Sequence, residues 1–106
     1  MHAFDVDVRR AGGTLVIAPS GELDIATVDR VRSALAERAE GEGVEIDLRN
    51  LKFLDTSGLQ FVVETHRQSR AEGYDLRIVR GSANVQRVFE IAGLDHVLPF
   101  EDADAA

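Results

Sequence analysis

Leu54-Asp55-Thr56-Ser57-Gly58-Leu59 joins a strand-like apolar run to a run with helical spacing. An aspartate followed by two hydroxyl residues has the composition of a helix start. Backbone N–H groups are unpaired at such a place, and the local dipole favours negative charge. A hydroxyl there is well sited to carry a phosphate, so the stretch reads as a phosphorylation-controlled switch. Gly58 reads as a first-turn residue capped by Asp55, or as a position kept bare beside Ser57 for an approaching protein surface. Helix propensity alone disfavours glycine there by about 1 kcal/mol relative to alanine.

Working upstream, Val44-Glu45-Ile46-Asp47-Leu48 reads as a strand. Before it, Ile25, Val28, Val31, Leu35 and Ala39 recur at helical spacing, with Asp24 as the expected N-cap and Gly41 and Gly43 as the end. Pro19-Ser20-Gly21-Glu22 is expected to break the strand Thr14-Leu15-Val16-Ile17-Ala18. Gly12-Gly13 turns the chain back to Phe4-Asp5-Val6-Asp7-Val8, which alternates as a strand with one wet face does. Downstream, Leu59, Val62, Val63 and His66 are expected on one side of the second helix, closed by Gly73. Leu76-Arg77-Ile78-Val79 is a further strand. Ser82 caps a third helix with Val85, Val88, Phe89 and Ala92 apolar, ending in a Schellman turn at Gly93-Leu94. Val97-Leu98-Pro99-Phe100 is a short extended piece.

The order is β-β-α-β-α-β-α-(β). Right-handed crossovers make the later strands parallel, and the opening hairpin makes the sheet mixed. The expectation is a single α/β domain over residues 1–106, with a mixed sheet of four to five strands and helices packed on it. Residues 101–106 are expected to fray as an acidic tail.

Nineteen acidic residues against twelve basic ones give a net charge of −7, which disfavours direct contact with nucleic acid or anionic lipid. With no cysteine there is no disulfide, thiolate metal site or cysteine nucleophile, and a reducing cytoplasm suits the chain. No leader-like apolar run or membrane span is visible. The chain has no glycine-rich dinucleotide loop and no phosphate loop ending in Gly-Lys-Ser/Thr, so no cofactor is expected and a phosphate must be brought by another protein.

Ser57 does not make a hydrolase elbow, which needs glycines two residues to either side; Asp55 and Leu59 stand there. His66 lies along the same helix and cannot fold back to Ser57. His2 and His96 stand alone, without metal-ligand spacing. Asp55-Thr56 also lacks the directly following glycine and the second copy that an aspartic-protease loop needs. Glu22 and Asp24 read as a loop and cap, or as an acidic edge for a partner.

Three stretches together resemble the STAS-domain family, specifically the bacterial anti-sigma factor antagonists. Gly21-Glu22-Leu23-Asp24 resembles the family's loop before the first helix. Asp55-Thr56-Ser57-Gly58-Leu59 is similar to its phosphorylation motif, and Val88-Phe89-Glu90-Ile91-Ala92-Gly93-Leu94 to its last helix and turn. The resemblance implies a non-enzymatic regulator whose unphosphorylated form binds an anti-sigma factor that is also an ATP-using serine kinase, freeing a sigma factor. Phosphorylation at Ser57, with Thr56 in reserve, dissociates the complex, and a serine phosphatase resets it. The partner-binding residues it implies are Gly21, Glu22, Leu23, Asp24, Asp55, Thr56, Ser57, Gly58 and Leu59. Within the same family, a scaffold or transporter-complex subunit without a phosphate cycle, or a small-anion or nucleotide binder, is the alternative.

Overall fold

The structure is a computed structural model that describes residues 4–103. His2 and tail residues 104–106 lie outside the described residues. The elements are β1 (Asp5–Ala11), β2 (Thr14–Leu23), α1 (Val28–Leu35), β3 (Gly43–Asp47), β4 (Leu51–Leu54), α2 (Thr56–Glu72), β5 (Leu76–Val79), α3 (Ala83–Ile91) and β6 (Phe100–Glu101). One mixed sheet runs β1-β2-β3-β5-β6, with β4 beside the far end of β2. β1 is antiparallel to β2, and the other pairings are parallel. Leu15, Ile17, Val44, Ile46 and Ile78 pack from one sheet face against Val28 and Val31 of α1, Phe61 and Val62 of α2, and Val85 and Phe89 of α3. Each such burial stabilises by roughly 1.5–3 kcal/mol. The opposite face carries Glu45 and Arg77, paired across β3 and β5 at 3.1 Å, beside the buried Val16 and Val79.

The α/β class, the opening hairpin and the three helices stand as expected, but the sheet has six strands among the described residues. The additional strand, β4, continues β3 after a turn at residues 48–50 and gives the order β-β-α-β-β-α-β-α-β. Pro19 does not end β2. It lies opposite Val6, between the last residue of β2 paired to β3, Ile17, and the first paired to β4, Gly21. No parallel partner is lost where the proline lacks its donor.

α1 is shorter than its apolar spacing suggests. Glu37 N and Arg38 N turn back to Ala34 O and Leu35 O, three residues earlier, so the helix tightens and stops before Ala39. Val28, Val31 and Ala34 are buried, whereas Ile25 lies in the preceding turn, 80% exposed. On α2 the buried stripe is Gly58, Phe61, Val62, Thr65 and Ser69. Leu59, Val63 and His66 are only partly buried. Thr65 and Ser69 hide their hydroxyls by donating to their own helix, to Phe61 O and His66 O, both at 2.7 Å. Glu101 belongs to β6 rather than to a frayed tail, and Arg80 holds Asp102 at 3.0 Å.

Candidate functional site

The loops after β2 and β4 leave the same edge of the sheet side by side. Leu23 pairs with Leu54, and Asp55 N–H donates to Leu23 O at 3.1 Å. The two stretches singled out in the sequence, 21–24 and 55–59, are thereby brought together. Gly21 takes φ +93°, a left-handed conformation that suits glycine, where the β2–β4 register shifts. Leu51 pairs with Gly21 and Phe53 with Glu22, so Lys52 is the extra residue of a β-bulge.

Asp55 caps α2 as the sequence suggests. Its Oδ1 accepts the N–H of Ser57 at 2.8 Å and of Gly58 at 3.3 Å, and its carbonyl accepts Leu59 N–H at 3.0 Å. With the carboxylate doing the capping, the Ser57 hydroxyl has no hydrogen-bond partner among the described residues. Ser57 is partly buried and Thr56 is exposed. The Ser57 and Gly58 N–H groups are taken by Asp55, so they are not available to a phosphate on Ser57.

Gly58 is buried. A Cβ there would lie 2.9 Å from Leu54 Cγ and 3.0 Å from Leu23 Cγ. Its missing side chain serves the packing of α2 against β2 and β4, a role neither reading of this glycine named, and its N–H is capped by Asp55 as the first reading has it. Leu23, fully buried, is the other half of that contact. Both hold the two loops together from beneath, while Glu22, Asp24, Asp55, Ser57 and Leu59 are partly buried.

Asp24 is not the N-cap of α1; Thr27 takes that position. Asp24 builds the turn ahead of it. Its Oδ1 accepts Ala26 N–H at 3.0 Å, and its carbonyl accepts the N–H groups of Thr27 and Val28. Thr27 Oγ1 accepts Asp24 N–H at 3.0 Å and donates to Glu22 O at 2.8 Å. Thr27 was not singled out in the sequence, although a threonine just before Val28 is a cap signal in its own right. His66 stays partly buried on α2, and His96 is exposed beside Asp95. Among the described residues no group of three or more acidic or histidine side chains is placed to hold a metal, and no helix is long and apolar enough to cross a membrane.

The family described as STAS domain matches residues 5–105. An anti-sigma F factor antagonist from Paenibacillus polymyxa is 29% identical over 102 residues, spanning 93% of this chain and 87% of its own. Among solved structures, an anti-sigma factor antagonist from Mycobacterium paratuberculosis superposes with a TM-score of 0.82 at 26% identity, over 92% of this chain and 85% of that one. The anti-sigma factor antagonist SpoIIAA in its unphosphorylated form does so with a TM-score of 0.76 at 25% identity, over 97% and 90%. The chain belongs to the STAS-domain family.

Proposed function

We propose that this chain is a bacterial, cytoplasmic anti-sigma factor antagonist without catalysis of its own. Its unphosphorylated form binds an anti-sigma factor that is also a serine kinase, and the sigma factor is released. The kinase transfers phosphate from ATP to the Ser57 hydroxyl, the complex parts, and a serine phosphatase restores the hydroxyl. The observation that carries this reading is the Ser57 hydroxyl itself, unpartnered at a helix start already capped by Asp55. The names of the P. polymyxa relative and of the two solved structures support the same role.

The added group brings about −1.5 to −2 charge. With the nearest N–H groups already occupied, the fold gains little from it, and the effect falls on whatever docks there. Taking an uncompensated charge out of water costs several kcal/mol, enough to reverse a complex.

Tandem mass spectrometry of the tryptic peptide Phe53 to Arg67, after incubation with ATP and the anti-sigma kinase of the same cell, tests this. One phosphate on Ser57, absent in Ser57→Ala, is the expected result. Phosphate on Thr56 alone would move the acceptor. An unmodified peptide, with every anti-sigma kinase of that cell shown active on another substrate, would remove the phosphate cycle.

A further inference from the structure

Four large apolar side chains are exposed among the described residues: Ile25, Phe53, Ile91 and Val97. Single exposed apolar residues are ordinary on a protein surface and need no explanation. Ile25 and Phe53 differ from the other two in their place. Phe53 stands on β4 opposite Glu22, next to the Lys52 bulge and 49% exposed. Ile25 follows Leu23, whose carbonyl holds Asp55 N–H. Two residues of chain reach at most about 7 Å. Ile25 is that far along from Leu23 and Ser57 is that far along from Asp55, so both start from one hydrogen bond. Helical spacing would put Ile25 in the core, yet the turn built by Asp24 and Thr27 holds it out in solvent.

We infer that Ile25 and Phe53 are the apolar anchors of the docking surface around Ser57, and that their occupant is an apolar recess on the anti-sigma factor, rimmed by cations. Charge complementarity selects that partner. The stretches 21–27 and 51–59 carry Glu22, Asp24 and Asp55 against one cation, Lys52, on a chain of net charge −7. An apolar centre with a charged rim is the usual anatomy of a protein interface, and a few large side chains carry most of its energy. A phosphate on Ser57 would then enter beside two desolvated anchors. This surface rests on the function proposed above and adds to it two residues that take no part in phosphate transfer.

The test is calorimetric titration of the purified anti-sigma kinase with the unphosphorylated chain and single serine variants. Ile25→Ser and Phe53→Ser are each expected to weaken binding at least tenfold. Ile91→Ser and Val97→Ser, at 78% and 60% exposure, serve as matched controls and are expected to bind as the parent does. Thermal melting of every variant accompanies the titration, and Ile25→Ser, in an exposed turn, is expected to melt with the parent. Parent-like binding by Ile25→Ser overturns the surface, as does equal weakening by all four variants. A parent chain that binds no anti-sigma factor overturns the functional reading itself, so the two failures are told apart.

Discussion

Helices α2 and α3 both start at the same edge of the sheet, and both starts combine a cap, a glycine and a hydroxyl. They divide the work differently. At α2 the cap is the Asp55 carboxylate, which takes two N–H groups, and the Ser57 hydroxyl is left without a partner. At α3 the hydroxyl is the cap: Ser82 Oγ accepts Val85 N–H at 3.4 Å. The α2 glycine sits inside the first turn, against side chains of Leu23 and Leu54. The α3 glycine, Gly81, sits before the cap, where a Cβ would lie 2.8 Å from the carbonyl oxygen of Leu48. A serine at a helix start is therefore not by itself a switch. Ser82 is the N-cap itself, whereas Ser57 stands inside the first turn, behind the Asp55 cap.

The largest expected effect tests that division directly. Phosphorylated Ser57 should weaken binding of the anti-sigma factor at least 100-fold, which is about 2.7 kcal/mol. Ser57→Asp should weaken it in the same direction. Ser82→Asp keeps a capping oxygen at α3 and should bind as the parent does. Equal losses from Ser57→Asp and Ser82→Asp, read by titration calorimetry, would erase the distinction between the two starts.

The two glycines come next. Gly81→Ala drives a Cβ into the fixed backbone carbonyl of Leu48 and should cost about 2–3 kcal/mol. Gly58→Ala meets only side-chain carbons of Leu54 and Leu23, at 2.9–3.1 Å, and regains about 1 kcal/mol of helix propensity. Its net cost should be the smaller, about 1–2 kcal/mol. Urea unfolding of both variants gives the order, and a reversed order would mean that Leu23 and Leu54 cannot yield.

Much of the contrast between the starts is legible from residue types alone. Asp55, Ser82 and the Gly93-Leu94 turn all act where a cap rule puts them. Leu94 N–H reaches Phe89 O at 2.8 Å and Gly93 N–H reaches Glu90 O at 3.0 Å, the paired bonds of a Schellman end. What lies beneath α2 is less legible. β4 reads buried, exposed, exposed, buried because Lys52 is an extra residue, so the alternation that marks a strand is broken. The buried stripe of α2 passes through Gly58, Thr65 and Ser69, none of which a search for large apolar residues finds. Ile25 matched the helical period and still lies outside α1, because Asp24 and Thr27 wind a turn there first. Tertiary pairing and side-chain bonds to the backbone overrode periodicity at each of these points.

The support under the α3 start has an acid-sensitive part. Asp47, buried at the end of β3, is followed by Leu48, whose carbonyl lies against Gly81. Burial pushes the Asp47 carboxyl up, but the Arg49 guanidinium at 2.8 Å and the Arg49 N–H at 3.0 Å outweigh it and hold the group below its ordinary value. A carboxyl so held stabilises the fold above the pH at which the unfolded chain titrates, about 4, and that stability is lost as pH falls through the lower folded value. Asp47→Asn should cost about 1.5–2 kcal/mol at neutral pH. It should also flatten the fall in melting temperature below pH 4, and an unchanged acid limb would assign the fall to other carboxyls.

The caps themselves give the finest comparison. Asp55→Ala removes the one carboxylate oxygen that accepts two N–H groups in the first turn of α2, one of them closely, and should cost about 1–2 kcal/mol. Ser82→Ala removes one long bond and should cost about 0.5 kcal/mol, at the low end for a cap. The distinguishing readout is amide exchange. Without its acceptor, the Ser57 N–H should exchange faster in Asp55→Ala, together with the Gly58 N–H, while the Val85 N–H stays as in the parent. Asp55→Ser sharpens this further: a hydroxyl can cap as Ser82 does, but it carries no charge to repel a phosphate on Ser57. If capping alone matters at α2, Asp55→Ser should restore slow exchange. If the carboxylate also turns the phosphate outward, the phosphorylated Asp55→Ser chain should keep more affinity for the anti-sigma factor than the phosphorylated parent. Equal affinities would confine Asp55 to capping.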